Sequence, residues 1–242
     1  MGISNKISIS TRLALWEAIR TGNLDLAHSA FDVIAGARLH WDWLKWKLPV
    51  IINEECWYML GEYVEFNNKN IIDPKEYKKL IYKLVLVDKT KDSYWLRKFI
   101  LFNFPKNEHK ELKIIQETFF NNSNKDLVSL IDAVFEKYFN KRKFSKYEEN
   151  TISFLKARIQ NSGLYSDRVL FAITAVLVGL RELDEKEIKK HIKYAVHRYK
   201  KRGGGAPKKI AVMDKVMDKI PSYLINKTKV ITNPTCFQTM WG

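Results

Sequence analysis

The residues of this chain best suited to chemistry are cations, and they are crowded together. From Lys186 to Lys209 the sequence reads KEIKKHIKYAVHRYKKRGGGAPKK, with almost no acidic company beyond Glu187. Lysine ammonium groups act as point charges, and an arginine guanidinium forks onto phosphate oxygens through two parallel hydrogen bonds. Lys189, Lys190, Lys193, His197, Arg198, Lys200, Lys201, Arg202, Lys208 and Lys209 are therefore the expected contacts to a nucleic-acid backbone. A solvated lysine face is the plainer meaning of such a helix, but the concentration of charge and the two arginines favour phosphate. A second tract, RLHWDWLKWK from Arg38 to Lys47, sets three tryptophans among basic residues. Trp41 beside Lys45 could serve as a base-stacking platform, and stacking contributes roughly 1–3 kcal/mol per base. Trp43 and Trp46 share a helical stripe with Leu39 and Val50 and are expected in the core, while Trp41 stays open to either role. Lys141, Arg142 and Lys143 form a smaller cluster that reads as an ordinary loop.

Signals for catalysis are weak. A phosphate-cradling loop of the form G-x-x-x-x-G-K-[ST] has no match, and the glycine run in GGGAPKK lacks the hydroxyl after lysine that would hold magnesium. That run reads as a helix terminator or hinge. The five histidines, His28, His40, His109, His191 and His197, are scattered, and the last two project to different faces of one helix. Glu54 and Glu55 follow an apolar run, but adjacent residues diverge by about 100° on a helix and cannot form a facing dyad. They read as carboxylates that bind neighbouring helices. No G-x-S-x-G elbow exists, and Cys56 has no histidine near it in sequence. No catalytic residue, metal site or cofactor is expected.

The composition sets the frame for these tracts. Lysines and arginines number 42 against 27 acids, a net charge of +15 that calls for a polyanionic partner. Hydrophobic residues make up 46% of the 242, enough for a packed core and too many for a disordered tail. Cys56 and Cys236 stand far apart without the spacing of a disulfide framework or zinc site, so a reducing interior is expected. The most apolar run, Val169 to Leu180, lies between Arg168 and Arg181 and is shorter than the ~20 residues of a bilayer span. It reads as a buried core helix, and no membrane partner is expected. The amino-terminal MGISNKISISTR matches neither a secretion signal nor the myristoylation pattern. Together these features point to a cytoplasmic, nucleoid-associated protein.

Apolar residues recur at spacings of three and four with no sustained alternation, which predicts an all-α fold. Helices are expected over about Thr11 to Arg20, then from an Asn23 cap towards Gly36, then through the Trp-rich stretch, where Pro49 kinks or restarts the chain. Asp73-Pro74 opens another through Val87, followed by Ser93 to Phe102, Glu108 to Phe120, Lys125 to Phe139, Lys146 to Gln160 and Ser166 to Arg181. Asp184 caps the basic helix, with Glu187 completing a capping-box pattern, Ile188, Ile192, Ala195, Val196 and Tyr199 inward and the lysines outward. A final helix over Pro207 to Lys219 precedes a loose or partner-bound tail. Domain limits are expected near residues 66 and 220: an N-terminal hairpin plus Trp-rich helix, a bundle carrying the basic helix, and the tail, or all as one domain.

Three blocks together resemble the carboxy-terminal helical region of RarA/MgsA-type replication and recombination ATPases, relatives of clamp loaders. They are LWEAIRTGNLDLA (Leu15 to Ala27), WLKWKLPVIINEE (Trp43 to Glu55) and YAVHRYKKRG (Tyr194 to Gly203). The resemblance implies a multi-helix orthogonal bundle like a clamp-loader collar, used for oligomerisation and for contacts with DNA or replication proteins. The chain departs from the family by carrying no ATPase module and by Glu55-Cys56 where the family has Asp, an apolar residue and glycine. The leading expectation is thus a non-enzymatic DNA-binding accessory of replication, recombination or repair, meeting duplex or single-stranded DNA. Alternatives are a glycosylase-like repair enzyme, and an interaction or homo-oligomerisation module for a replication ATPase, polymerase or single-strand-binding protein.

Overall fold

Gly22 and Asn23 show how local chemistry sets the first turn. Helix α1 (Ile9–Thr21) ends at Gly22, whose φ of +75° is left-handed backbone that glycine adopts without a Cβ clash. Asn23 then caps α2 (Leu24–Ala35), its side chain accepting from the Leu26 amide at 3.1 Å. The two helices pack as a hairpin, with Leu15, Ala18 and Ile19 buried on one and Ala27, Phe31 and Ile34 on the other. The computed structural model describes residues 9–36, 41–69, 73–90, 93 and 126–202, and every regular element among them is helical.

Helix α3 (Trp41–Cys56) continues through Pro49 without a restart. Proline has no amide hydrogen, so the carbonyl of Lys45, four residues back, loses its helical donor. Tyr63 Oη at 3.2 Å and Arg158 Nη2 at 2.9 Å donate to it instead. The buried stripe of α3 is Leu44, Leu48, Ile51 and Glu55, at i, i+4, i+7 and i+11, with Ile52 beside it. The expected core stripe is therefore corrected: Val50 is buried, but Trp43 is half-buried and Trp46 is 49% exposed. The reason is rotational phase. Positions 44, 48 and 51 are fully buried in a helix that packs on α1, α2 and the long apolar helix, and the two indoles lie off that stripe under guanidinium groups. Arg12 lies 5.2 Å from the Trp43 ring centre and Arg158 lies 4.5 Å from that of Trp46. Leu39 lies outside the described residues.

A 3-10 turn (Trp57–Met59) leads into α4 (Leu60–Asn68), so the limit expected near residue 66 falls inside a helix. Helix α5 (Pro74–Leu86) opens on Asp73, which accepts from the Lys75 amide at 2.9 Å. Then come α6 (Leu127–Phe139), α7 (Lys146–Asn161), α8 (Tyr165–Leu180) and α9 (Glu185–Arg202). The apolar run forms α8, buried on nearly all sides from Val169 to Gly179 and packed on α3, α6 and α7. On the other side, α2 and α1 pack on α5, and α5 carries α9. All described residues belong to one compact unit. The expected helices 108–120 and 207–219, all of 93–102 except Ser93, the limit near residue 220 and the tail lie outside the described residues.

The basic cluster at 141–143 is more than a loop. Arg142 donates to the carbonyls of Gly179 and of Arg181 (2.9 Å), and pairs with Glu148. Glu148 completes a capping box with Ser145 at the start of α7 and accepts from the Leu183 amide at 3.0 Å. One arginine thus closes the carboxy-terminal end of α8. Two glycines allow close helix approach. A methyl at Gly61 would overlap the Tyr147 ring, and one at Gly179 would come within 2.5 Å of Phe139 Cε2. Both rings are buried, so neither can swing into solvent. Gly61→Ala and Gly179→Ala should each lower unfolding free energy by about 1–3 kcal/mol through overpacking, measured by denaturant titration. A change within 0.5 kcal/mol, about the range of a surface substitution, would show that these contacts are not tight.

Candidate nucleic-acid interface

Helix α9 begins where Asp184 Oδ1 accepts from the amides of Lys186 (2.9 Å) and Glu187 (3.2 Å). Its apolar side places Ile188, Ile192 and Ala195 in the core against α5, with Val196 half-buried and Tyr199 edge-on to Tyr82 at 6.0 Å. This buried side orients the opposite one. Lys186, Lys190, Lys193, His197 and Lys200 are all exposed and stand at i, i+4, i+7, i+11 and i+14, a single stripe about 21 Å long at 1.5 Å per residue.

The cations of α9 are not equivalent. Lys189 is paired with Glu185 and, at 3.4 Å, with Glu65 of α4; its pKa is raised, first by the hydrogen bond to Glu185. The expected lack of acidic company is thereby corrected, because Glu65 is brought in by folding. Lys190 lies 3.4 Å from Glu187, an exposed pair of small net worth. Lys186, Lys193 and Lys200 have no ion-pair partner among the described residues. Sequence reasoning had left Lys186 outside the site. The side chains of Arg198, Lys201 and Arg202, and all of Lys208 and Lys209, lie outside the described residues.

The second expected patch stands on a different helix pair. Lys45 is half-buried on α3, which packs on α8, and the side chain of Trp41 lies outside the described residues. What the structure places beside Lys45 is Trp46, at a half-open cleft of about 140 Å³ shared with α7 and α8. The cleft holds Lys47 and Asp167, joined by a 3.1 Å ion pair, and the Arg158 guanidinium. A helical-wheel reading anchored on Leu44, Leu48 and Ile51 would have turned Trp46 outward and found this site.

Behind α9 lies a buried polar cluster. His191 Nε2 is 3.4 Å from Tyr58 Oη, which donates to the Asp88 carbonyl at 3.0 Å. Lys89 Nζ directs its three donors at the carbonyls of Leu84 (2.6 Å), Val85 (3.1 Å) and Val87 (2.6 Å), closing the end of α5. Burial lowers the pKa of Lys89 and raises that of the Cys56 thiol to about 12. An ammonium filled by three carbonyls and a thiol held protonated make poor nucleophiles. Among the described residues no group of three His, Cys, Asp or Glu is placed to hold a metal, and no helix is long and apolar enough to cross a membrane. No protein-family model, curated protein or solved structure matches this chain.

His191 has a pKa below its ordinary 6.5, first because it is buried and second because Lys89 is near; Asp88 Oδ2, at 4.0 Å, does not reverse this. The unfolded chain therefore takes a proton that the folded chain resists. The stability due to the neutral ring is present above pH 6.5 and is lost as pH falls below it. Between about pH 7.5 and about pH 5.5, a window centred on imidazole titration, wild type should lose more melting temperature than His191→Gln. Equal losses would show that this imidazole is not the linked group.

Proposed function

We propose that this chain is a non-enzymatic DNA-binding accessory protein of replication, recombination or repair, acting at the nucleoid, that holds a phosphate backbone on the outward stripe of α9. The observation that carries the reading is that stripe. Four lysines and His197 lie on one exposed side of an 18-residue helix, and three of the lysines, Lys186, Lys193 and Lys200, are in no ion pair among the described residues. Lysines held this way neutralise phosphates and release counterions, so affinity falls as salt rises. The chain's +15 charge supports the same partner by favouring encounter with a polyanion. In this reading the helices follow the orthogonal, collar-like arrangement that the three sequence blocks suggest.

Log affinity for DNA should fall linearly with log salt. Replacing Lys186, Lys190, Lys193 and Lys200 together by alanine should reduce the magnitude of that slope by about four, roughly one per lost phosphate contact. These residues are exposed, so the fold should keep its melting temperature. Absence of binding at low salt, or an unchanged slope in the variant, would refute the assignment.

A second reading is an interaction or oligomerisation module for a replication ATPase or polymerase. Exposed Leu13, Leu26 and Val33 on the two helices of the α1–α2 hairpin favour it, since exposed large apolar side chains are candidates for contact sites. Concentration-dependent sedimentation abolished by Val33→Asp, without DNA binding, would select this reading over the first.

A further inference from the structure

We propose that the cleft beside Trp46 is a pocket for one unstacked amino-pyrimidine base, a cytosine, of a single nucleic-acid strand. This rests on the DNA-binding reading and names the form of nucleic acid and the base. The walls combine two kinds of surface. Val50 and Phe171 are buried apolar groups in its lining, and half-exposed Trp46 with the Arg158 guanidinium over it supplies planar surfaces. Indole rings and guanidinium planes both stack on bases, largely regardless of sequence.

Asp167 supplies the selectivity. It is only 5% exposed, its Oδ2 accepts from Lys47 at 3.1 Å, and its buried Oδ1 has no hydrogen-bond partner. A buried acceptor left unfilled is costly, so a turn of the Asp167 carboxylate that brings Oδ1 to a guest's donor is favoured. Charge narrows the guest further. A cationic side chain would meet Lys47 and Arg158, and an anion would meet Asp167. A neutral ring carrying an N–H donor conflicts with neither.

Size decides between rings. An apolar cavity of about 150 Å³ holds a benzene-sized ring, and this half-open cleft, at about 140 Å³, seats one six-membered ring, whereas a fused purine would leave its second ring at the mouth. Among pyrimidines, cytosine presents an exocyclic amine where thymine presents a carbonyl oxygen, and acidic side chains accept from that amine. The half-open mouth lets the sugar and backbone remain outside.

The test measures binding of the full chain, by fluorescence anisotropy at low salt, to equal-length strands of oligo-dC, oligo-dT and an abasic backbone. Wild type should bind oligo-dC at least about fivefold more tightly than the abasic strand, as one stacked base would give, and more tightly than oligo-dT. Trp46→Ala should bring oligo-dC down to the abasic level while leaving abasic binding unchanged. Asp167→Asn, whose amide donates to a carbonyl, should erase or reverse the preference for dC over dT, with melting temperature checked in both variants. Wild type binding oligo-dC and abasic strands alike would overturn the pocket and leave the phosphate interface standing. Failure to bind any strand would overturn both. A Trp46→Ala change that altered only self-association would assign the cleft to a protein contact and overturn the proposal.

Discussion

The missing amide hydrogen of Pro49 is the constraint from which much of this structure follows. It releases the Lys45 carbonyl from the α3 ladder, and two side chains from other helices take the vacant place: Tyr63 from α4 and Arg158 from α7. A neutral donor adds about 0.5–1.5 kcal/mol and a charged one about 1.5–3 kcal/mol, against the cost of a buried orphan carbonyl. Tyr63 is held neutral, since burial raises its pKa, so its hydroxyl keeps its proton for that bond. Arg158, fixed by the same carbonyl, lies over Trp46 and within 5.1 Å of the Phe154 ring centre, and Phe154 meets Tyr63 edge-on at 5.6 Å. A proline that would ordinarily end a helix thus joins three helices and sets the wall of the cleft.

The same economy of donors and acceptors organises the basic helix. Its inner side is fixed by Ile188, Ile192 and the His191 contact, and its first turn by Asp184. Lys189, nearest to α4, is absorbed by Glu65 and Glu185. Of the stripe from Lys186 to Lys200, Lys190 pairs with Glu187, and Lys186, Lys193 and Lys200 are in no ion pair among the described residues. Net charge alone could not show this, because Arg142, as basic as any residue in the chain, closes the end of α8 and accepts Glu148 as its partner.

Local signals were legible in the sequence, and long-range ones were not. The Asn23, Asp73 and Asp184 caps each act on amides two or three residues away, and all three hold in the structure. The apolar run of α8 announced its own burial. The Ser145–Glu148 capping box was equally local, an S-x-x-E pattern that sequence reasoning passed over. Trp46 was misread because LPVIIN is apolar all round and admits more than one stripe; the choice is made by α8, more than a hundred residues on. The Arg158 bond to Lys45 spans 113 residues, and the Tyr58–His191 contact spans 133. No periodicity within one helix encodes such pairs.

Photo-cross-linking tests most directly the proposal that the Trp46 cleft takes a base of the strand held by the α9 stripe. The full chain would be irradiated with a single strand carrying one iodocytosine, and the adduct located by peptide mass spectrometry. On this proposal the adduct should lie on the Trp46 segment of α3 or on Leu164, which also lines the cleft, and should be lost in Trp46→Ala. Efficient cross-linking confined to other segments, under saturating binding, would contradict it.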